Sequence, residues 1–209
     1  NILEALKAIH NPAPMTDIDD ILPGGSHPAR VRLLKEEMIA FQAGMTFLKR
    51  KQKRHRAFPL TQEGSWSKEV KHNFPFQLTQ AQLRVLEEIR YDLSQAVPMM
   101  RLVQGDVGSG KTVVAALAAA LALDSSFQVA FMAPTTLLAE QHFVSLQNFF
   151  GAESKKIALL TGSTSAKVRK KVLQDMEEMK VRLVVGTHAL FQKGVNFSNL
   201  ALIIIDEQH

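Results

Sequence analysis

The octapeptide Gly105-Asp106-Val107-Gly108-Ser109-Gly110-Lys111-Thr112 restricts the folds open to this chain more than any other stretch, because it fits G-x-x-x-x-G-K-[ST]. Such a loop cradles phosphates when a strand delivers it and a helix continues from it. Both flanks have the composition for this. Met99-Met100-Arg101-Leu102-Val103-Gln104 is a short apolar run that reads as a buried strand, and Val113 to Leu123 is almost all Ala, Leu and Val, which favours helix. Gly105, Gly108 and Gly110 let the backbone take positive φ and approach the phosphates closely. The N–H groups exposed along Gly105 to Gly110, Asp106, Val107 and Ser109 included, then face an anion together with the positive end of the helix dipole. Lys111 supplies a point charge to the β- and γ-phosphates, and Thr112 a hydroxyl for Mg²⁺. The plainer alternative is a coincidental glycine turn, which the flanking strand and helix disfavour. A nucleoside triphosphate is the expected ligand.

A second anchor is Leu202-Ile203-Ile204-Ile205-Asp206-Glu207, a wholly apolar strand ending in two acids. In a parallel sheet the carboxyl ends of the strands form the ligand edge. Asp206 is therefore the expected Mg²⁺ partner beside Thr112, and Glu207 the candidate that orients or deprotonates an attacking water.

The rest of the chain supports an α/β reading. Apolar runs at 128–133, 156–160, 181–186 and 200–206 read as strands, and helical spacing covers 137–150 and 166–179. Continuous apolar strands joined by helices give a parallel sheet covered on both faces. Thr79 has the chemistry of an N-cap for a helix carrying Val85, Leu86, Ile89 and Leu93 on one face. Ahead of this region, 2–10 reads as a short helix and 11–27 as a turn-rich connection. A long helix follows from Pro28, with Val31, Leu34, Met38, Phe41, Met45 and Leu48 on a heptad-like seam. Docking of that seam on a neighbouring domain is preferred to a dimerising coiled coil, since three heptads are few. Residues 57–75 are expected to be loop, with Trp66 packing rather than stacking on a base. The division expected is a helical linker segment, 1–72, and an α/β lobe, 73–209.

Charge and composition exclude several classes. There is no cysteine, so disulfide frameworks and thiolate metal sites are ruled out, and no apolar run reaches 18 residues, so no membrane span is expected. The net charge of +5 is modest, but Lys49 to Arg56 places six cations in eight positions and is a candidate for phosphate contact. The first residue is not Met and the last follows an acidic strand end, so both termini look cut from a longer chain.

Asp206-Glu207-Gln208-His209 resembles motif II of the DEAD/DEAH helicases, in the form found in RecG branch-migration helicases. Other segments carry the same resemblance. Phe76-Gln77-Leu78-Thr79-Gln80-Ala81-Gln82 is similar to the family's F-x-L-T-x-A-Q, which implies adenine contact by Phe76 and Gln82. Ala133-Pro134-Thr135-Thr136-Leu137-Leu138-Ala139-Glu140-Gln141-His142 is similar to motif Ia, although the family more often has Glu where Thr136 stands. Leu160-Thr161-Gly162-Ser163 resembles motif Ib, and Gly186-Thr187-His188 opens the segment before motif II. These resemblances make Pro134, Thr135, Thr161, Gly162, Thr187 and His188 candidate DNA contacts. Read without the resemblance, His142 and His188 are equally core or surface imidazoles.

The segment with Ile9-His10-Asn11-Pro12 and His27-Pro28-Ala29-Arg30 is similar to the stretch joining the RecG wedge domain to its motor. What the resemblance implies is a RecA-like P-loop NTPase lobe using ATP and Mg²⁺ in a cytoplasmic bacterial helicase, monomeric by default. Its substrate would be branched or forked duplex DNA, remodelled in repair and recombination. The wedge domain and second motor lobe would lie outside this chain, leaving it nearly inactive alone. The alternatives are a transcription-repair coupling translocase, which shares the motor but not the first 48 residues, and a non-motor ATP-gated binding module.

Overall fold

The computed structural model describes residues 1–14, 18–52, 55–74, 77–106 and 108–206, with the side chains of Lys49 and Gln52 outside that description. Phe76, Val107, Glu207, Gln208 and His209, together with Lys53 and Arg54 of the basic run, lie outside the described residues. By contacts the chain divides into two compact units, Asn1–His55 and Arg56–His209.

The first unit is helical. Helix α1 (Ile2–His10) starts at a capping box in which the Asn1 side chain accepts from the Glu4 N–H and the Glu4 carboxylate accepts from the amino terminus. A four-residue helix α2 (Ile18–Ile21) sits in the expected turn-rich stretch. Helix α3 (Pro28–Gln52) has proline at its first position, where no backbone N–H is required, and packs against α1 with Ala5 and Ala29 buried. Its seam is uncovered: Met38 and Phe41 are each 66% exposed. Arg50 and Lys51 of the basic run lie exposed on its last turn.

The second unit is a four-stranded sheet with helices. Its strands are β1 (Gln128–Met132), β2 (Ile157–Leu160), β3 (Leu183–Gly186) and β4 (Leu200–Ile205), in the order β2-β3-β1-β4. Every pairing is parallel, with Val129 opposite Leu183 on one side and Leu202 on the other. Helix α6 (Lys111–Asp124) leads into β1, α7 (Thr136–Phe150) joins β1 to β2 and α8 (Ala166–Glu177) joins β2 to β3, so the expected α/β class with a parallel sheet is what the chain forms. The largest core surrounds α6, which packs on β1, β4, α5 (Gln80–Leu93) and α7.

Two elements differ from the sequence reading. Within 57–75, expected as loop, residues Ser65–Asn73 form α4. Weak apolar periodicity hides this helix, because its anchors come from distant segments. Asp124, at the end of α6, accepts from the N–H groups of Trp66 and Ser67 and from the Ser67 hydroxyl, serving as an N-cap supplied from a distant segment. Trp66 and Val70 are buried, Trp66 meeting the Phe150 ring edge-on at 5.1 Å, so the tryptophan packs as expected. Because α4 packs on α6 and α7, the contact division falls at 55/56, ahead of the boundary expected at 72/73.

The second difference lies at 99–104, which is not a strand. Met99 and Val103 pack on the core while Met100 and Leu102 are more than 70% exposed, an alternation of strand type. A strand, however, exists only where its backbone joins a ladder, and the segment is not among the four strands of the sheet. A side chain helps to hold it. Arg101 pairs with Asp92 and Glu88 of α5, and its hydrogen bond to Asp92 raises the guanidinium pKa further.

Candidate nucleotide site at the carboxyl edge of the sheet

Parallel pairing brings the carboxyl ends of all four strands to one edge of the sheet. Pro134 and Thr135 follow β1, Thr161 and Gly162 follow β2, Thr187 and His188 follow β3, and Asp206 follows β4. The phosphate loop arrives at the same edge by another route. Helix α6 turns directly into β1, with the Phe127 N–H donating to the Ala122 carbonyl, so the two run antiparallel. A helix of 14 residues spans about 21 Å and a five-residue strand about 17 Å. The start of α6 therefore returns to the edge where β1 ends.

Within the loop, Gly108 and Gly110 both have φ +81°, in the left-handed region that disfavours a side chain. Gly110 is the N-cap of α6 and brings no side-chain cap; the Val113 N–H donates to the Gly110 carbonyl at 3.0 Å, and the helix start ahead of it suits an external acceptor. Lys111 Nζ donates to the carbonyls of Gly105 (2.5 Å) and Asp106 (2.9 Å), two neutral acceptors that a phosphate oxygen would outcompete electrostatically. The Ser109 Oγ lies against Gly105, where an added Cβ would meet it at 2.7 Å, and this is a loop-shaping position. These features fit a polyphosphate. Thr112 and Asp206 offer the hard oxygen donors suited to a Mg²⁺ ion carried on those phosphates.

Gln82 reaches this loop through space. Its Oε1 accepts from the Thr79 N–H at 2.8 Å within a capping box, and its Nε2 donates to the Ser109 carbonyl at 2.8 Å. The residue expected to contact adenine thus also ties the start of α5 to the phosphate loop.

Asp206 is held twice. Its N–H donates to the Met132 carbonyl at 2.9 Å, and its Oδ2 accepts from His142 Nε2 at 2.6 Å. A carboxylate only accepts, so Nε2 carries the proton in this pair. The imidazole in turn lies against the Phe131 ring, with centroids 4.8 Å apart. Sequence reasoning left His142 without an assignment, since no sequence spacing links residues 142 and 206; only the fold joins them.

The remaining candidates differ in what they present. Pro134 and Thr135 are exposed, and Thr135 caps α7 by accepting from the Leu138 N–H. Thr161 is buried, its hydroxyl engaged with Ser163 and Thr164, so this turn presents the exposed Gly162 outward. Thr187 is half-buried and His188 exposed. Phe76, Val107 and Glu207 fall outside the described residues.

The chain is similar to known proteins over most or all of its length. The family model for the DEAD/DEAH box helicase matches residues 79–209. The chain is 44% identical over 209 residues to the ATP-dependent DNA helicase RecG of Pasteurella multocida, and 46% identical over 206 residues to that of Escherichia coli K12. The first covers 100% and the second 99% of this chain, which spans about 30% of the length of each relative. A solved structure of RecG bound to a three-way DNA junction superposes with a TM-score of 0.80 at 42% identity, over 87% of this chain and 25% of that one. With a family model spanning more than half of its residues and a phosphate loop and Asp206 on one sheet edge, the chain belongs to the DEAD/DEAH box helicase family.

Proposed function

We propose that this chain is the nucleotide-binding motor lobe, with its preceding helices, of an ATP-dependent DNA helicase that translocates on duplex DNA and remodels forks and junctions. The observation that carries the reading is the meeting of two sequence-distant elements at one sheet edge: the uncapped start of α6 with Lys111, and Asp206 at the end of β4. The end-to-end similarity to RecG, and a solved neighbour bound to a three-way junction, support branched DNA as the substrate.

In this reading Lys111 and the loop N–H groups bind the phosphates, and Thr112 and Asp206 hold Mg²⁺, which supplies charge neutralisation on the phosphoryl oxygens. Glu207 orients the attacking water, and Phe76 and Gln82 contact adenine. Pro134, Thr135, Gly162, Thr187 and His188 line the edge offered to DNA, and the Thr161 hydroxyl supports the turn beneath. Arginines from a second lobe would add about 10³- to 10⁵-fold in rate, by analogy with related NTPases. Hydrolysis by this chain alone is accordingly expected to be very slow.

The test is steady-state ATP hydrolysis by the full-length protein with forked DNA, linear duplex or no DNA, alongside Lys111→Ala. Strong preference for forks, lost in the variant, is expected. Equal stimulation by any duplex would favour a coupling-type translocase, and no stimulation would overturn the motor reading.

A further inference from the structure

His142 is the unassigned polar side chain nearest the proposed chemistry. It stands on α7 two turns beyond the cap residue Thr135, and its side chain is 13% exposed. A buried ring nitrogen needs a partner, and Nε2 has one in Asp206 Oδ2 at 2.6 Å, a charge-assisted hydrogen bond. The ring is itself set by contact with Phe131, which is 1% exposed and belongs to β1. One continuous stretch, 131–142, thus grips Asp206 from two sides: the Met132 carbonyl takes its N–H, and His142 takes one carboxylate oxygen.

A carboxylate on a single bond rotates unless an oxygen is fixed, and outer-sphere hydrogen bonds of this kind orient metal-binding groups. With one acceptor site of Oδ2 taken by His142, Oδ1 is the more open oxygen for a ligand. We infer that His142 is a positioning residue, whose Nε2–H fixes the Asp206 carboxylate so that Oδ1 serves the metal–nucleotide complex. This rests on the assignment of Asp206 as the Mg²⁺ partner. The same stretch carries Pro134 and Thr135 at its turn, so a shift of that turn would be felt at Asp206 through His142.

The test separates donation from packing by a crossed pair of variants in the full-length protein. His142→Phe keeps a ring against Phe131 and loses the donor; His142→Gln keeps an N–H at a similar reach and loses the ring. Mn²⁺ affinity in the presence of a non-hydrolysable ATP analogue, followed by electron paramagnetic resonance, is read without turnover, with thermal melting to report folding. His142→Phe is expected to weaken Mn²⁺ binding about tenfold, with His142→Gln recovering most of it. Unchanged affinity in a folded His142→Phe, while Asp206→Asn loses Mn²⁺, would overturn the role of His142. Unchanged affinity in Asp206→Asn would instead overturn the metal assignment beneath it. His142→Leu gives the same reading should the phenyl variant not fold.

Discussion

Helices α6 and α3 make an instructive pair. Both carry apolar residues on more than one face, and both are helical as their sequences suggest. In α6, ten of the 14 residues are buried, and four alanines are fully sealed among α4, α5, α7 and the sheet. In α3, only Ala29 is buried among the described residues, and Met38, Ile39, Phe41 and Phe47 are each more than 60% exposed. The pattern that makes a helix does not by itself say what covers it. Burial is a relation between elements: α6 packs on α4, α5, α7 and the sheet, and α3 packs on α1.

The largest effect that would sharpen this contrast is overpacking of α6. Ala119→Phe inserts a ring where exposure is 0%, and should cost about 3 kcal/mol or more in urea unfolding. A cost below 1 kcal/mol would mean that the helix is less tightly enclosed than its burial indicates. Next is the clamp at its far end. Asp124→Ala removes the acceptor for two backbone N–H groups and a hydroxyl of α4, and should cost about 2 kcal/mol. Hydrogen exchange should then show α4 opening ahead of the sheet; uniform exchange would argue against a separate clamp. Smallest is the paired change Met38→Ser and Phe41→Ser on α3, expected to stay within about 0.5 kcal/mol per site in this chain. A larger loss would show that the seam is covered in solution.

A similar contrast holds within the site. The phosphate loop is a local device: its glycines, Lys111 and Thr112 are contiguous, and their chemistry follows from a chain that turns and then enters a helix. The support for Asp206 is not local, since His142 reaches it across 64 positions of sequence. Gln82 is intermediate, its capping box written in adjacent residues and its donation to Ser109 made only by folding.

The sequence by itself determined the α/β class, the four strands, the helix that follows the phosphate loop and the identity of the loop, because periodicity and glycine spacing act over a few residues. Tertiary structure alone decided three other matters. It made α4 a helix by lending it Asp124 as a cap. It kept 99–104 out of the four-stranded sheet, because a strand requires a place in a ladder as well as the right side chains. It also paired His142 with Asp206, because a hydrogen bond forms between atoms that meet in space, and only parallel pairing of β1 with β4 brings those two segments together.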